Sequence, residues 1–143
     1  MKFDNYMILE FPSKSSNEAF ARAAVACFAS QMDPTLDELG DIKTAVSEAV
    51  TNCIVHAYPN EMGIITLRCR ILKDHILDIV VKDKGIGIKD LEKARQPMFT
   101  TGGSERSGMG LTIMETFMSE FRIESAPGKG TTVHMRRKLA RKL

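Results

Sequence analysis

Ile76-Leu-Asp-Ile-Val-Val-Lys-Asp83-Lys-Gly85-Ile-Gly87 combines a strand pattern with a glycine-rich turn. Leu77, Ile79 and Val81 share one parity, so they line the buried face of a half-covered strand. Asp83 continues that parity, and a carboxylate on a core face needs hydrogen-bonding partners because burying it alone is costly. Gly85 and Gly87 follow at once and permit a tight turn that a flat ligand can approach. An adenine amino group would satisfy the acid, although an ordinary Asp-Gly turn after a strand has the same spelling.

Working outward, residues 64–73 form a second strand, and Lys73-Asp74-His75 joins it to the first as a hairpin. Upstream, Asp33-Pro34 reads as the cap and first turn of a long helix with the apolar stripe Leu36, Leu39, Ile42, Val46, Ala49, Val50, Cys53 and Ala57. An earlier helix over about 17–31, capped by Ser15 or Ser16, places Phe20, Ala24, Cys27 and Phe28 toward the core. Residues 5–11 read as a strand closed by Pro12. Downstream, 94–106 lack periodicity and read as a loop, the kind of long irregular segment that usually carries function. A helix over about 108–118 and strands near 120–126 and 131–138 complete the chain, the last two turned at Pro127-Gly-Lys-Gly130. The order predicts one α+β domain over 1–143, with helices on one face of a largely antiparallel sheet.

Bulk properties narrow the function classes. With 143 residues the chain can bury about 70% of its unfolded surface without a disulfide or metal staple. A net charge of +2 gives no reason to invoke nucleic acid or a membrane surface. No apolar run approaches the ~20 residues of a membrane span, and the N-terminus has no apolar signal segment. Cys27, Cys53 and Cys69 each lie in apolar stretches, which predicts buried reduced thiols and a cytoplasmic setting. The basic run Arg136-Arg137-Lys138-Leu-Ala-Arg141-Lys142 reads as a solvated strand end or, alternatively, as a site for an acidic partner.

Two further segments carry candidate chemistry. Glu48 and Asn52 are four apart on the long helix and share the face bordering its apolar stripe. Such a pair can serve as a general base beside an oxygen ligand for Mg²⁺, and it is also what a solvated helix edge looks like. His56 extends that face by another four residues. Ser107-Gly108-Met109-Gly110 opens a helix, where free backbone N–H groups and the dipole favour an anion, and Arg106 adds a formal charge for phosphate. Just upstream, Phe99-Thr100-Thr101-Gly102-Gly103 can hinge over a nucleotide. Thr131, after Gly128-Lys-Gly130, is placed to join Asp83 directly or through water. There is no Walker loop, no protein-kinase H-R-D or D-F-G, and no G-x-S-x-G elbow.

Glu48–Asn52, Asp83–Gly87, Arg106–Gly110 and Gly128–Thr131, in this order, resemble the N box and three glycine boxes of the GHKL ATP-binding superfamily, which includes gyrase, histidine kinases and MutL. Ser47-Glu-Ala-Val-Thr-Asn52, Glu92-Lys-Ala-Arg-Gln-Pro-Met-Phe-Thr-Thr101 and Arg106-Ser-Gly-Met-Gly-Leu-Thr-Ile-Met-Glu115 are similar to the sporulation branch of the anti-sigma serine kinases, the anti-sigma F family. The resemblance covers nearly the whole chain. It implies a Bergerat-type α+β two-layer sandwich on a largely antiparallel mixed sheet. It also implies a cytoplasmic homodimer that holds a sigma factor inactive and uses ATP and Mg²⁺ to phosphorylate a serine on an anti-anti-sigma protein. By matching position, Glu48 is the general base, Asn52 the Mg²⁺ ligand and Asp83 the adenine reader. Asn52, Gly85, Gly87, Thr100, Thr101, Arg106, Ser107, Gly108, Met109, Gly110 and Thr131 then belong to the ATP site, and Arg22 contacts the protein partners. A general-stress anti-sigma kinase, or a binding module that moves no phosphate, are the alternative functions. Lys84 stands where many relatives carry an acid, and Gly102-Gly103-Ser-Glu105 is a glycine-rich form of the lid.

Overall fold

The computed structural model describes residues 3–59, 61–87 and 110–140. Among these residues there are five strands: β1 (Phe3–Pro12), β2 (Ile64–Leu72), β3 (Ile76–Asp83), β4 (Glu120–Ser125) and β5 (Thr131–Lys138). They pair in the order β1-β2-β3-β5-β4. Every described pairing is antiparallel, so the mixed component implied by the family resemblance does not occur among the described residues. The helices are α1 (Ser16–Ala29), α2 (Leu36–Asn52) and α3 (Gly110–Phe117).

Side-chain alternation divides the sheet into two faces. Ile65, Leu67 and Cys69 of β2, Leu77, Ile79 and Val81 of β3, and Val133 and Met135 of β5 form one core with the helices. Ala21, Val25 and Phe28 of α1, Ile42, Val46, Ala49 and Val50 of α2, and Leu111 and Met114 of α3 cover them. This is the expected two-layer α+β sandwich. The hairpin also falls where expected: Leu72 pairs with Ile76, and Asp74 and His75 take positive φ of 65° and 61° between them.

Four local expectations are corrected. In α1 the core stripe is Ala21, Val25, Phe28 and Ala29, while Phe20 is 54% exposed and Cys27 is exposed. Both stripes have helical spacing, and the small residues Ala21 and Ala29 let α1 pack directly on α2. Ser15 makes no side-chain cap bond.

The second correction concerns the start of α2. Its cap is Thr35, whose hydroxyl accepts from Glu38 N at 3.1 Å while the Glu38 carboxylate accepts from Thr35 N at 2.9 Å. This reciprocal box satisfies two otherwise orphaned helix donors and outcompetes the Asp-Pro signal. Asp33, in the left-handed region, instead ends the 3-10 turn Ser30–Met32, and Leu36 is left 88% exposed.

The third concerns the thiols: only Cys53 and Cys69 are buried. The fourth concerns the basic strand end, which is internally paired. Arg136 Nε lies 2.9 Å from Asp78, and Arg137 lies 2.8 Å from Asp41 and donates to Phe117 O at 2.5 Å. Arg141 and Lys142 are outside the described residues.

Candidate functional site

The site is assembled where the C-terminal end of α2 meets the end of β3. Ala49, Val50 and Cys53 are buried, which fixes the rotation of α2 and leaves Glu48 and Asn52 half-buried on successive turns at the core border. The residue before Glu48 is anchored too. Ser47 Oγ donates to Glu18, and Glu18 pairs with Arg22 at 3.5 Å. Arg22, implicated in partner contacts by the resemblance, is thus linked through one carboxylate to the turn that carries Glu48.

Beyond Asn52 the helix widens into a π-helical turn, Cys53–Ala57. Such turns are rare and often occur at functional sites. The turn interrupts the α-helical spacing by which His56 would continue the Glu48–Asn52 face. It also presents the carbonyl of Ala57, a helix-end acceptor, to the backbone N–H of Ile86 at 3.0 Å. The glycine turn after β3 therefore sits directly on the end of α2.

Asp83 is 4% exposed on the core face of β3, as its parity predicts. Its Oδ1 accepts from Gly85 N at 2.9 Å and from Thr131 N at 3.1 Å. The expected link to Thr131 is direct and runs through the backbone amide; Thr131 Oγ1 is engaged with Ser125 Oγ at 2.7 Å. The Cys53 thiol hydrogen-bonds Asp83, and burial, then the Asp83 charge, push that thiol well above its usual range. An acid held this way is buried and aimed, with backbone amides and a thiol as its partners.

The two glycines are required for different reasons. A Cβ on Gly85 would run into the Ala57 carbonyl. Gly87 has φ of +77°, and a Cβ there would meet the Ala126 carbonyl. Ile86 O accepts from Gly128 N at 2.7 Å, so this turn and the β4–β5 turn are bonded to one another. Gly110 opens α3, whose Leu111 and Met114 are buried, as is Met118 just after it. Thr100, Thr101, Arg106, Ser107, Gly108 and Met109 lie outside the described residues.

The described contacts gather Asp83, Gly85, Gly87 and Thr131 at the end of the helix whose preceding turns carry Glu48 and Asn52. The sequence reading missed Cys53 as a partner of Asp83, Tyr58 between α2 and β2, and the Glu18–Ser47 tie. Cys53 had a signal, since it sits on the buried stripe one residue after Asn52; the other two had none. Asn52 is half-buried, and its side chain is of the amide type that can ligate a hard cation through oxygen. Among the described residues there is no cluster of three or more carboxylate, imidazole or thiol ligands, and a Mg²⁺ carried on nucleotide phosphates does not need one.

Comparisons with known proteins agree with this architecture. Residues 11–137 match the model of the histidine kinase-like ATPase domain. An anti-sigma F factor of Caldanaerobacter subterraneus subsp. tengcongensis is 59% identical over 142 residues, covering 99% of both chains. That of Clostridium acetobutylicum is 52% identical over 138 residues, covering 96% of each. Among solved structures, the RsbU and RsbW domains of a Mycobacterium tuberculosis protein superpose with a TM-score of 0.70 at 20% identity, over 96% of this chain and 33% of that one, which is a likeness of fold. With the two-layer fold, a family match over residues 11–137 and identity of this order over nearly the whole chain, the chain belongs to the histidine kinase-like ATPase domain family and, within it, to the anti-sigma F factors.

Proposed function

We propose that this protein binds and inhibits a sigma factor of the sigma F type, and uses Mg-ATP to phosphorylate a serine on the anti-anti-sigma protein that would release it. The observation that carries this reading is the junction itself. One helix places a carboxylate (Glu48) and an amide (Asn52) on successive turns, and its end is bonded to the turn bearing the buried acceptor Asp83.

Each residue then has a separate task. Asp83 accepts from the adenine amino group, and the absence of side chains at Gly85 and Gly87 lets the base approach the backbone. Asn52 would hold Mg²⁺, which supplies charge neutralisation on the phosphates. Thr100, Thr101, Arg106, Ser107, Gly108, Met109 and Gly110 form the phosphate cradle and lid. Glu48 takes the proton of the substrate serine as its oxygen bonds to the γ-phosphorus; the bond from that phosphorus to the β–γ bridging oxygen breaks, and ADP leaves. Arg22 contacts the protein partners of a homodimer. Positioning by α2 contributes by holding the base in reach, the usual way phosphoryl transfer is accelerated.

The experiment is phosphotransfer from Mg-ATP to the anti-anti-sigma protein, read as phosphoserine. Glu48→Gln is expected to retain ATP affinity and lower transfer by about 10²–10⁴-fold, the range of a lost general base. Unchanged transfer in the variant would sink the general-base role of Glu48, whereas no phosphoserine with the unmodified protein would leave a nucleotide-dependent sigma-binding module.

A further inference from the structure

The β2–β3 ladder closes on the pair Ile65–Asp83. One step further out Ile64 and Lys84 face each other, yet the hydroxyl of Tyr58 lies between them. It accepts from Lys84 N at 2.7 Å and donates to Ile64 O at 3.0 Å. The ring is 7% exposed, and Gly63 lies against it so closely that a Cβ there would overlap ring atoms. Burial first, with the Asp83 charge adding to it, pushes the phenol above its ordinary value despite the Lys84 amide, so it remains a donor.

The hydroxyl acts as a wedge at a defined point in the sheet. Ile64 continues to pair with Pro12 of β1, while the backbone of β3 leaves the sheet at Lys84. That departure carries Gly85 against Ala57 and lets Ile86 N reach Ala57 O. Ala57 is the residue before the wedge, so Tyr58 belongs to the segment on which the glycine turn rests. Its hydroxyl bonds both backbone groups at this step of the ladder, which makes its loss felt at the turn.

We infer that Tyr58 is a positioning residue for the nucleotide turn: its hydroxyl fixes where the chain leaves β3, and so sets Asp83–Gly87 against the helix that carries Glu48 and Asn52. This rests on the proposed reading of Asp83 as the adenine acceptor. It adds a specificity determinant that touches neither nucleotide nor substrate.

The test is Tyr58→Phe, which keeps the ring and removes the bridge. Binding is measured by calorimetry with ATP and with inosine triphosphate, which presents an oxygen where adenine has its amino group, and turnover is measured at saturating ATP. The variant is expected to bind ATP about tenfold more weakly. Its affinity for inosine triphosphate changes little, so the preference for ATP falls by the same factor. KM for ATP rises while kcat stays within about twofold. A merely structural role would lower the active fraction, and hence kcat, with the base preference intact, and that outcome overturns the inference. If the unmodified protein itself shows no preference for ATP, the adenine reading falls and this inference with it. Should Tyr58→Phe not fold, amide exchange on the unmodified protein decides: Lys84 N–H is expected to exchange as slowly as residues inside β3, and exchange at the rate of an open turn overturns the wedge.

Discussion

Asp78 and Asp83 lie five residues apart on β3, both nearly inaccessible, on opposite faces of the sheet. Asp78 is gripped by three guanidinium groups: Arg136 at 2.9 Å, Arg70 at 3.1 Å and Arg68 at 3.3 Å. Burial alone would raise its pKa, but the hydrogen bonds from Arg136 and Arg70 and their charges hold it below the usual value. Asp83 has backbone amides and a thiol instead. A carboxylate surrounded by cations is consumed by the fold. One held by neutral donors has a fixed orientation and no cationic partner among the described residues. On the proposed reading, the difference separates a structural acid from a nucleotide-reading one on a single strand.

The largest expected effect is on the structural side. Asp78→Asn leaves three guanidiniums gathered around a neutral amide, with only the exposed Glu120 still beside Arg136, and should cost about 3 kcal/mol, the low end for breaking a buried pair because the arginines are partly exposed. That corresponds to a thermal midpoint lowered by about 10 °C for a chain of this size. ATP affinity of the folded protein should be unchanged. The pH dependence follows from the sign of the shift. A folded pKa below the unfolded one gives stability that is present above about pH 4 and is lost as pH falls through the folded value. Unfolding free energies at pH 7 and pH 3 should therefore show the mutational penalty shrinking in acid. A constant penalty would mean that packing, and not charge, dominates at Asp78.

Asp83→Asn should give the opposite profile. The amide oxygen can still accept from Gly85 N and Thr131 N, so the turn survives, while the charged acceptor for the base is gone. Loss of a hydrogen bond to a charged group is worth about 1.5–3 kcal/mol, or about 10–100-fold in ATP affinity. Calorimetric titration measures it directly. Intact affinity in the variant would remove the distinction between the two aspartates.

The contrast was half legible in the sequence. Asp83 could be placed because parity with Leu77, Ile79 and Val81 put it on the core face, and its neighbours in the chain were glycines. Asp78 could not be interpreted, because Arg68, Arg70 and Arg136 meet it only after β2 and β5 are brought into register on either side. The same limit explains the basic strand end, where Arg137 finds Asp41 from 96 residues away. The strands and the stripe of α2 were legible because periodicity is local. The stripe of α1 was not, because two apolar stripes with the same spacing compete and only docking on α2 selects between them. Tyr58 was invisible because the wedge exists only where three segments converge.

A smaller effect tests the other internally satisfied acid. Glu38 is buried at the start of α2 and, besides its cap bond, accepts from Ala140 N at 2.8 Å. Burial would raise its pKa, but the bonds from Thr35 and Ala140 lower it. Thr35→Ala removes half the capping box and should destabilise the fold by about 1 kcal/mol. ATP affinity should again be untouched, which places this carboxylate with Asp78. Denaturant midpoints at constant slope would measure the change, and a change above about 2 kcal/mol would mean that Thr35 does more than cap.

The smallest expected effect uses the thiols as reporters of the core between sheet and helices. Cys69 lies near Asp78; burial, and then that charge, push it up to about 12. Cys53 is raised by burial and then by Asp83. Cys27 is exposed on α1. The thiolate is the reactive form, so a thiol reagent at pH 8 should add once per native chain, at Cys27, and three times after denaturation. ATP binding should survive the single adduct, since α1 contributes that cysteine on the side away from its buried stripe. Intact mass and peptide mapping would count and locate the adducts. A second native adduct at Cys53 that ATP suppresses would show that the Asp83 side opens to solvent without nucleotide. A second adduct at Cys69 insensitive to ATP would place the opening in the core between sheet and helices, away from the Asp83 turn.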